Sequence, residues 1–106
     1  MRKTALLAAA IASAVPAAQS MAQDIGRPSR GLDLARQVCA QCHAVEPRQA
    51  WSPNDNAPRF EAIAAVPGMT GIALTVALTT SHRSMPNIAL SAEDRSDVIA
   101  YILSLK

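Results

Sequence analysis

The sequence predicts an all-α domain of three to four helices. Apolar residues recur at helical spacing in residues 31–42, and again after Ser91 near the end of the chain. Two shorter apolar segments lie between them, at residues 60–66 and 70–80. We predict helices for both, although β-branched residues leave a strand as the alternative for 70–80.

A secretory signal peptide is predicted at residues 1–22. Arg2 and Lys3 precede an apolar run over 4–15, and Ser20-Met21-Ala22 matches a small-x-small cleavage site. The run is too short to span a bilayer, with an uncleaved N-terminal anchor as the alternative. We therefore expect a single periplasmic domain at 23–106, with no membrane span once the signal is removed.

The charge of the mature domain excludes some classes of partner. The whole chain has a formal charge of +2, but removing Arg2 and Lys3 leaves eight basic and eight acidic residues. No basic stripe suits nucleic acid or anionic lipid. We expect neither nucleic-acid nor membrane binding.

The first helix is predicted at residues 31–42, after a loose polar segment at 23–29. Ser29 is the expected cap. Prolines and asparagines then predict a surface loop over 46–56. The apolar set of the helix is Leu32, Leu34, Ala35, Val38 and Cys39.

The later helices have clear ends. Pro67-Gly68 ends the segment that begins at Phe60, and residues 81–90 show no periodicity. Ser91 is an N-cap with acidic residues in the first turn behind it. The predicted core positions are Ile72, Val76 and Ala77 in the third segment and Val98, Tyr101, Ile102 and Leu105 in the last.

The run Cys39-Ala40-Gln41-Cys42-His43 is the attachment signature of a c-type haem. Two thiols one helical turn apart can each add to a vinyl group of one porphyrin, and His43 can supply the proximal iron ligand. Such attachment takes place outside the bacterial cytoplasm, which agrees with the predicted export. A thiol–disulfide oxidoreductase is the alternative, but it would require a β-α-β context.

A mature domain of this size rarely buries enough apolar surface by itself. A porphyrin packed between the helices would add the missing core. We therefore predict one covalently bound haem c per chain, with the helices wrapped around it.

The second axial ligand has three candidates, Met85, Met69 and His82. Met85 is favoured because it lies in a loop between two predicted helices and Pro86 stiffens the backbone behind it. A plain core role is the alternative for Met85, since methionine often fills gaps. His82 would give a bis-histidine haem.

The proximal histidine also needs a hydrogen-bond acceptor for its other ring nitrogen. The carbonyl of Pro58 is our candidate. Pro58 could instead only mark a turn.

These residues together resemble the mono-haem class I cytochrome c family, over nearly the whole mature chain. The first helix with its haem motif, the ligand loop at Met85-Pro86 and the last helix at 90–102 are all similar to that family. Ala57-Pro58-Arg59-Phe60 is similar to its G-P-x-L loop, although Ala57 stands where glycine is usual.

The resemblance implies a small cytochrome c fold in which the first and last helices cross at Gly31 and Tyr101. It also implies that the Pro58 carbonyl accepts the proton of His43. Ala35 stands where the family often has an aromatic residue, which predicts a looser crossing. The loop of Trp51 has no family counterpart; the indole could cover a haem edge or propionate, or shield the core.

The predicted function is electron transfer by a monomeric carrier that is not itself an enzyme. Donors would be a dehydrogenase or the quinol–cytochrome c reductase, and acceptors a terminal oxidase or peroxidase. A subunit role in a larger complex is also open. The alternative is a haem enzyme or gas sensor in which Met85 does not bind the iron.

Overall fold

A computed structural model describes residues 25–82 and 84–106, where it contains four helices and no strand. The all-α prediction is confirmed. The predicted signal peptide lies outside the described residues. Within them, no helix is long and apolar enough to cross a membrane. The helices are α1 (Pro28–Val38), α2 (Phe60–Ala64), α3 (Gly71–Thr79) and α4 (Ala92–Leu103).

Helix α1 begins earlier and ends earlier than predicted. Ser29 is not the cap, because the helix begins at Pro28 and Arg27 occupies the N-cap position without a capping hydrogen bond from its side chain. Proline suits the first helical position, where its fixed φ is helical and no N–H is needed. Asp97 of α4 instead accepts a hydrogen bond from the Arg27 backbone N–H at 2.6 Å. The cap therefore comes from another helix, which local sequence cannot predict.

Helices α2 and α3 form close to the predicted segments. Helix α2 ends two residues early, before a turn in which Gly68 has φ of +75°. That conformation favours glycine. Helix α3 is a helix rather than a strand, and the Thr70 hydroxyl caps it by accepting from Ala73 N–H at 3.1 Å.

The core positions predicted for α3 are wrong. Ile72 is 80% exposed and Val76 is 55% exposed, whereas Leu74 is buried. Ala77 is only half-buried. Helix α3 is apolar on nearly every side, so the sequence pattern carries no signal for which side faces the core.

Helix α4 agrees with its sequence signals. The Ser91 hydroxyl accepts from the Asp94 N–H at 3.0 Å. Three of the four predicted core residues, Val98, Tyr101 and Ile102, are buried. Leu105 lies beyond the end of the helix and is half-buried.

The crossing of α1 and α4 brings their backbones into close contact at Gly31. A Cβ atom on Gly31 would lie 2.0 Å from the Asp97 carbonyl oxygen and 2.8 Å from Cβ of Tyr101. Ala35, one turn further along α1, is completely buried. The crossing is therefore close rather than loose. The buried cluster around it consists of Ala35, Val45, Phe60, Ala64, Leu74, Val98, Tyr101 and Ile102.

We expect Gly31→Ala to destabilise the protein by about 1–3 kcal/mol, because the new methyl group would force the two helix backbones apart. Gly71→Ala is the matched control, since its Cβ would meet only Ile99 Cγ2 at 3.6 Å, an ordinary contact. Chemical denaturation of the purified proteins measures both. Equal stability of the Gly31→Ala variant and the wild type would contradict the close crossing.

Candidate haem site

The Cys-x-x-Cys-His motif forms a tight turn directly after α1. The Cys39 N–H donates to the Ala35 carbonyl and the His43 N–H to the Cys39 carbonyl, both at 2.9 Å. The Cys42 N–H also donates to the Cys39 carbonyl, at 3.1 Å. Both thiols are free and half-buried. The turn therefore brings the two thiols and the imidazole onto one short stretch of backbone.

The environment of Cys39 does not suit thiol–disulfide exchange. Burial raises the pKa of the Cys39 thiol, whereas the nucleophilic cysteine of an oxidoreductase has a lowered pKa. The described residues also lack the β-α-β context that such enzymes use. Both observations disfavour the oxidoreductase interpretation.

The imidazole of His43 contacts the backbone at Pro58. Its Nδ1 lies 2.6 Å from the Pro58 carbonyl oxygen. A carbonyl can only accept, so Nδ1 carries a proton, and in the neutral imidazole Nε2 then keeps its lone pair. No group among residues 25–82 and 84–106 forms a hydrogen bond with Nε2. That nitrogen is therefore available to bind a metal.

The loop that carries Pro58 is fixed beside the motif by Phe60. The Phe60 N–H donates to the Ala44 carbonyl at 2.9 Å. Its ring centroid lies 5.4 Å from that of His43, with the planes tilted by 53°. The Phe60 ring also lies 6.3 Å from the ring of Tyr101. The histidine is thus oriented by a hydrogen bond and by an aromatic contact from the same loop.

Tyr101 ties the segment after the motif to α4. Its hydroxyl donates to the carbonyl oxygen of Val45, and both residues are buried. Burial, and then the nearby Glu46 carboxylate, raise the pKa of Tyr101, so the phenol stays protonated and remains a donor.

A second tie joins α1 to the same segment. Arg36 donates from Nε to Glu46 Oε1 at 2.5 Å and from a terminal nitrogen to Oε2 at 3.1 Å. This paired hydrogen bond lowers the pKa of the Glu46 carboxyl. Contacts from α1 and from α4 therefore hold the segment that directly follows the haem motif.

The three candidates for the second ligand lie in different environments. Met69 is half-buried and packs against the buried cluster, whereas Met85 is half-buried but does not pack there. Met85 is positioned by a short turn in which its N–H donates to the His82 carbonyl at 3.3 Å. His82 is exposed, and its Nδ1 donates to the Thr80 carbonyl at 3.2 Å. Of the two methionines, Met85 is the one without a role in the core.

The indole of Trp51 does not shield the core, because it is 83% exposed. Its loop is nevertheless fixed to the haem motif. The Ala44 N–H donates to the Ser52 hydroxyl at 3.0 Å, and the Asn54 N–H donates to the Cys42 carbonyl at 3.1 Å. These contacts have no signal in the sequence, where Ser52 and Asn54 are ordinary loop residues.

The chain shares most of its length with a known cytochrome. It is 36% identical over 96 residues to cytochrome c-552 of Bradyrhizobium diazoefficiens, covering 91% of this chain and 88% of the relative. The chain belongs to the small class I c-type cytochromes. The resemblance noted in the sequence is thereby confirmed. No family model and no solved structure matches this cytochrome.

The residues present in this cytochrome fit a covalently bound haem. The donor set comprises two free thiols at the right spacing and one imidazole nitrogen with an available lone pair. A thioether without a core role lies on a loop elsewhere in the chain. Thiols, imidazole and thioether are the groups that attach and ligate haem in c-type cytochromes.

We expect Tyr101→Phe to destabilise this cytochrome by about 1–3 kcal/mol, because it leaves the buried Val45 carbonyl without a hydrogen-bond donor. Thr80→Val is the control, since it removes a hydroxyl that donates to the Val76 carbonyl at an exposed position. Denaturant titration of both variants measures the difference. Equal losses of unfolding free energy in the two variants would contradict a larger contribution from the buried hydrogen bond.

Proposed function

We propose that this cytochrome is an exported electron carrier with one haem c. In this proposal Cys39 and Cys42 bind the haem covalently, and His43 and Met85 are the axial ligands. The observation that carries the proposal is the hydrogen bond from His43 Nδ1 to the Pro58 carbonyl. It leaves Nε2 free on the same turn of backbone as two free thiols.

The bound haem would supply a one-electron couple between ferric and ferrous iron. The chain's own residues set the conditions for that couple. The Pro58 carbonyl orients the imidazole and raises its basicity. The thioether of Met85, a neutral sulfur donor, would favour the ferrous state and raise the reduction potential. With both axial positions occupied, the protein would move electrons without binding oxygen or peroxide.

The proposed location is the periplasm, after removal of the signal peptide at 1–22. The partners would be redox proteins that dock transiently on a monomer. A dehydrogenase or the quinol–cytochrome c reductase would donate electrons, and a terminal oxidase or peroxidase would accept them. The relative in Bradyrhizobium diazoefficiens is named as a cytochrome c-552, which supports a carrier and does not identify the partners.

The turn that carries Met85 supports a second candidate function. Among the described residues, the turn that positions Met85 has one backbone hydrogen bond, from Met85 to His82, and a side-chain hydrogen bond joins Ser81 to Asn87 across it. A ligand on so lightly held a loop could be displaced. The protein would then be an open-site haem enzyme or gas sensor.

Optical spectra of the haem-loaded protein distinguish these functions. We expect a sulfur-to-iron charge-transfer band in the oxidised wild type and no carbon monoxide binding in the reduced protein. Met85→Ala should lose the band, bind carbon monoxide and have a lower reduction potential. Met69→Ala is the matched control and should keep the band, because Met69 packs on the core. Ready carbon monoxide binding by the wild type would favour the open-site function.

The covalent attachment is tested separately. We expect Cys42→Ser to reduce the fraction of chains that retain haem after denaturing electrophoresis, because one of the two thioether bonds is lost. Gln41→Ala changes an exposed residue inside the same motif and should retain haem like the wild type. Full retention by the Cys42→Ser variant, with no shift in the α-band of its haem in alkaline pyridine that would report an unreacted vinyl group, would refute attachment through that thiol.

A further inference from the structure

Trp51 is a large apolar side chain placed in solvent beside the haem motif. Its exposure of 83% contrasts with Phe60 and Tyr101, which are both buried. The residue after it, Ser52, accepts a hydrogen bond from the Ala44 N–H, and Asn54 donates to the Cys42 carbonyl. The Gln49 side-chain amide also donates to the Trp51 carbonyl at 3.2 Å. The backbone that carries the indole is therefore fixed to residues 42–44.

An exposed indole on a fixed backbone is suited to binding another protein. Tryptophan is enriched among the residues that contribute most to protein–protein binding. A loop whose backbone is already fixed loses less conformational entropy when a partner docks. Ile72 on α3 is similarly exposed, at 80%, but none of its neighbours is bonded to the haem motif. Exposure alone therefore does not distinguish Trp51; its fixed place beside residues 42–44 does.

The charge and the size of this surface indicate what kind of partner it fits. Residues 49–57 contain one charged residue, Asp55, and the Arg59 guanidinium that donates to the Gln49 carbonyl at 3.4 Å is paired with Glu61. A single tryptophan buries roughly 150–250 Å², whereas a stable interface buries about 800 Å² on each partner. The indole by itself is therefore an apolar contact that is too small to hold a permanent subunit or a stable dimer. Small interfaces of this kind are typical of electron-transfer encounters.

We propose that Trp51 is the docking residue for a redox partner protein. The partner would present an uncharged apolar pocket with a hydrogen-bond acceptor for the indole N–H. Because Trp51 is fixed to the haem-attachment turn, docking there would bring the partner to the side of the molecule that carries Cys42. This inference rests on the proposed electron-transfer function.

The test follows oxidation of the reduced, haem-loaded protein by spheroplasts of its native host that lack the gene for this chain. Oxygen consumption at several protein concentrations gives the second-order rate constant for the respiratory acceptor. Oxidation by ferricyanide, which needs no protein docking, is measured beside it. The variants are Trp51→Ala, Trp51→Phe and, as the matched control, Ile72→Ala.

We expect Trp51→Ala to lower the rate with spheroplasts about tenfold, the effect of losing a dominant contact. Trp51→Phe should recover part of that loss, and Ile72→Ala should stay within about twofold of the wild type. The ferricyanide rate, the spectrum and the reduction potential should not change in any variant. The tenfold ratio should persist at high ionic strength, because the contact is apolar.

Several results would overturn the inference. An unchanged rate for Trp51→Ala with spheroplasts would do so, and so would an equal loss in Ile72→Ala. A shifted spectrum or potential in Trp51→Ala would mean that the indole covers the haem instead. Concentration-dependent self-association lost in Trp51→Ala would make a second copy the occupant. A wild type that holds no haem, or that spheroplasts do not oxidise, would refute the proposed function itself.

Discussion

The close crossing of α1 and α4 is the constraint on which the rest of the structure depends. At Gly31 the two backbones are so near that no side chain fits between them. The same crossing brings Asp97, a buried carboxylate, to the start of α1, where it accepts from the Arg27 N–H and lies 3.5 Å from Nε of Arg30. A buried carboxylate requires such partners, because an unpaired charge in the interior is costly. The crossing therefore fixes both the separation of the helices and the residue at which α1 begins.

Two sets of contacts connect the haem motif to that crossing, one through α1 and one through α4. Helix α1 ends at Val38, and its last hydrogen bonds continue into the turn at Cys39. From the other side, Tyr101 reaches from α4 to the Val45 carbonyl, just after the motif. The ring of Phe60 lies between the rings of Tyr101 and His43. The imidazole is thus oriented by the Pro58 carbonyl and by the ring of Phe60, whose own place depends on its contact with Tyr101 in α4.

The elements that local sequence signals determine were predicted well, and those that depend on distant residues were not. Ser91 caps α4 because its own hydroxyl reaches the Asp94 N–H, and the apolar spacing of α4 identifies its buried side. The start of α1 was mispredicted, because its cap is a carboxylate far along the chain. The buried side of α3 was mispredicted, because a helix with apolar residues all round has no polar side to mark solvent. Within the site, the motif predicts the roles of the thiols and His43, whereas the hydrogen bonds that join Ser52 and Asn54 to residues 42–44 have no sequence signal.

The two sides of the proposed haem site differ in how firmly the chain positions them. His43 has a hydrogen bond to Pro58 and an aromatic neighbour in Phe60, and the adjacent residues Cys42 and Ala44 are hydrogen-bonded to the loop of Trp51. Among the described residues, the turn of Met85 has one backbone hydrogen bond, to His82, and Met85 does not pack against the buried cluster. The described contacts therefore hold the histidine side more firmly than the methionine side. That asymmetry makes the sulfur ligand the point at which a carrier could become an open haem site.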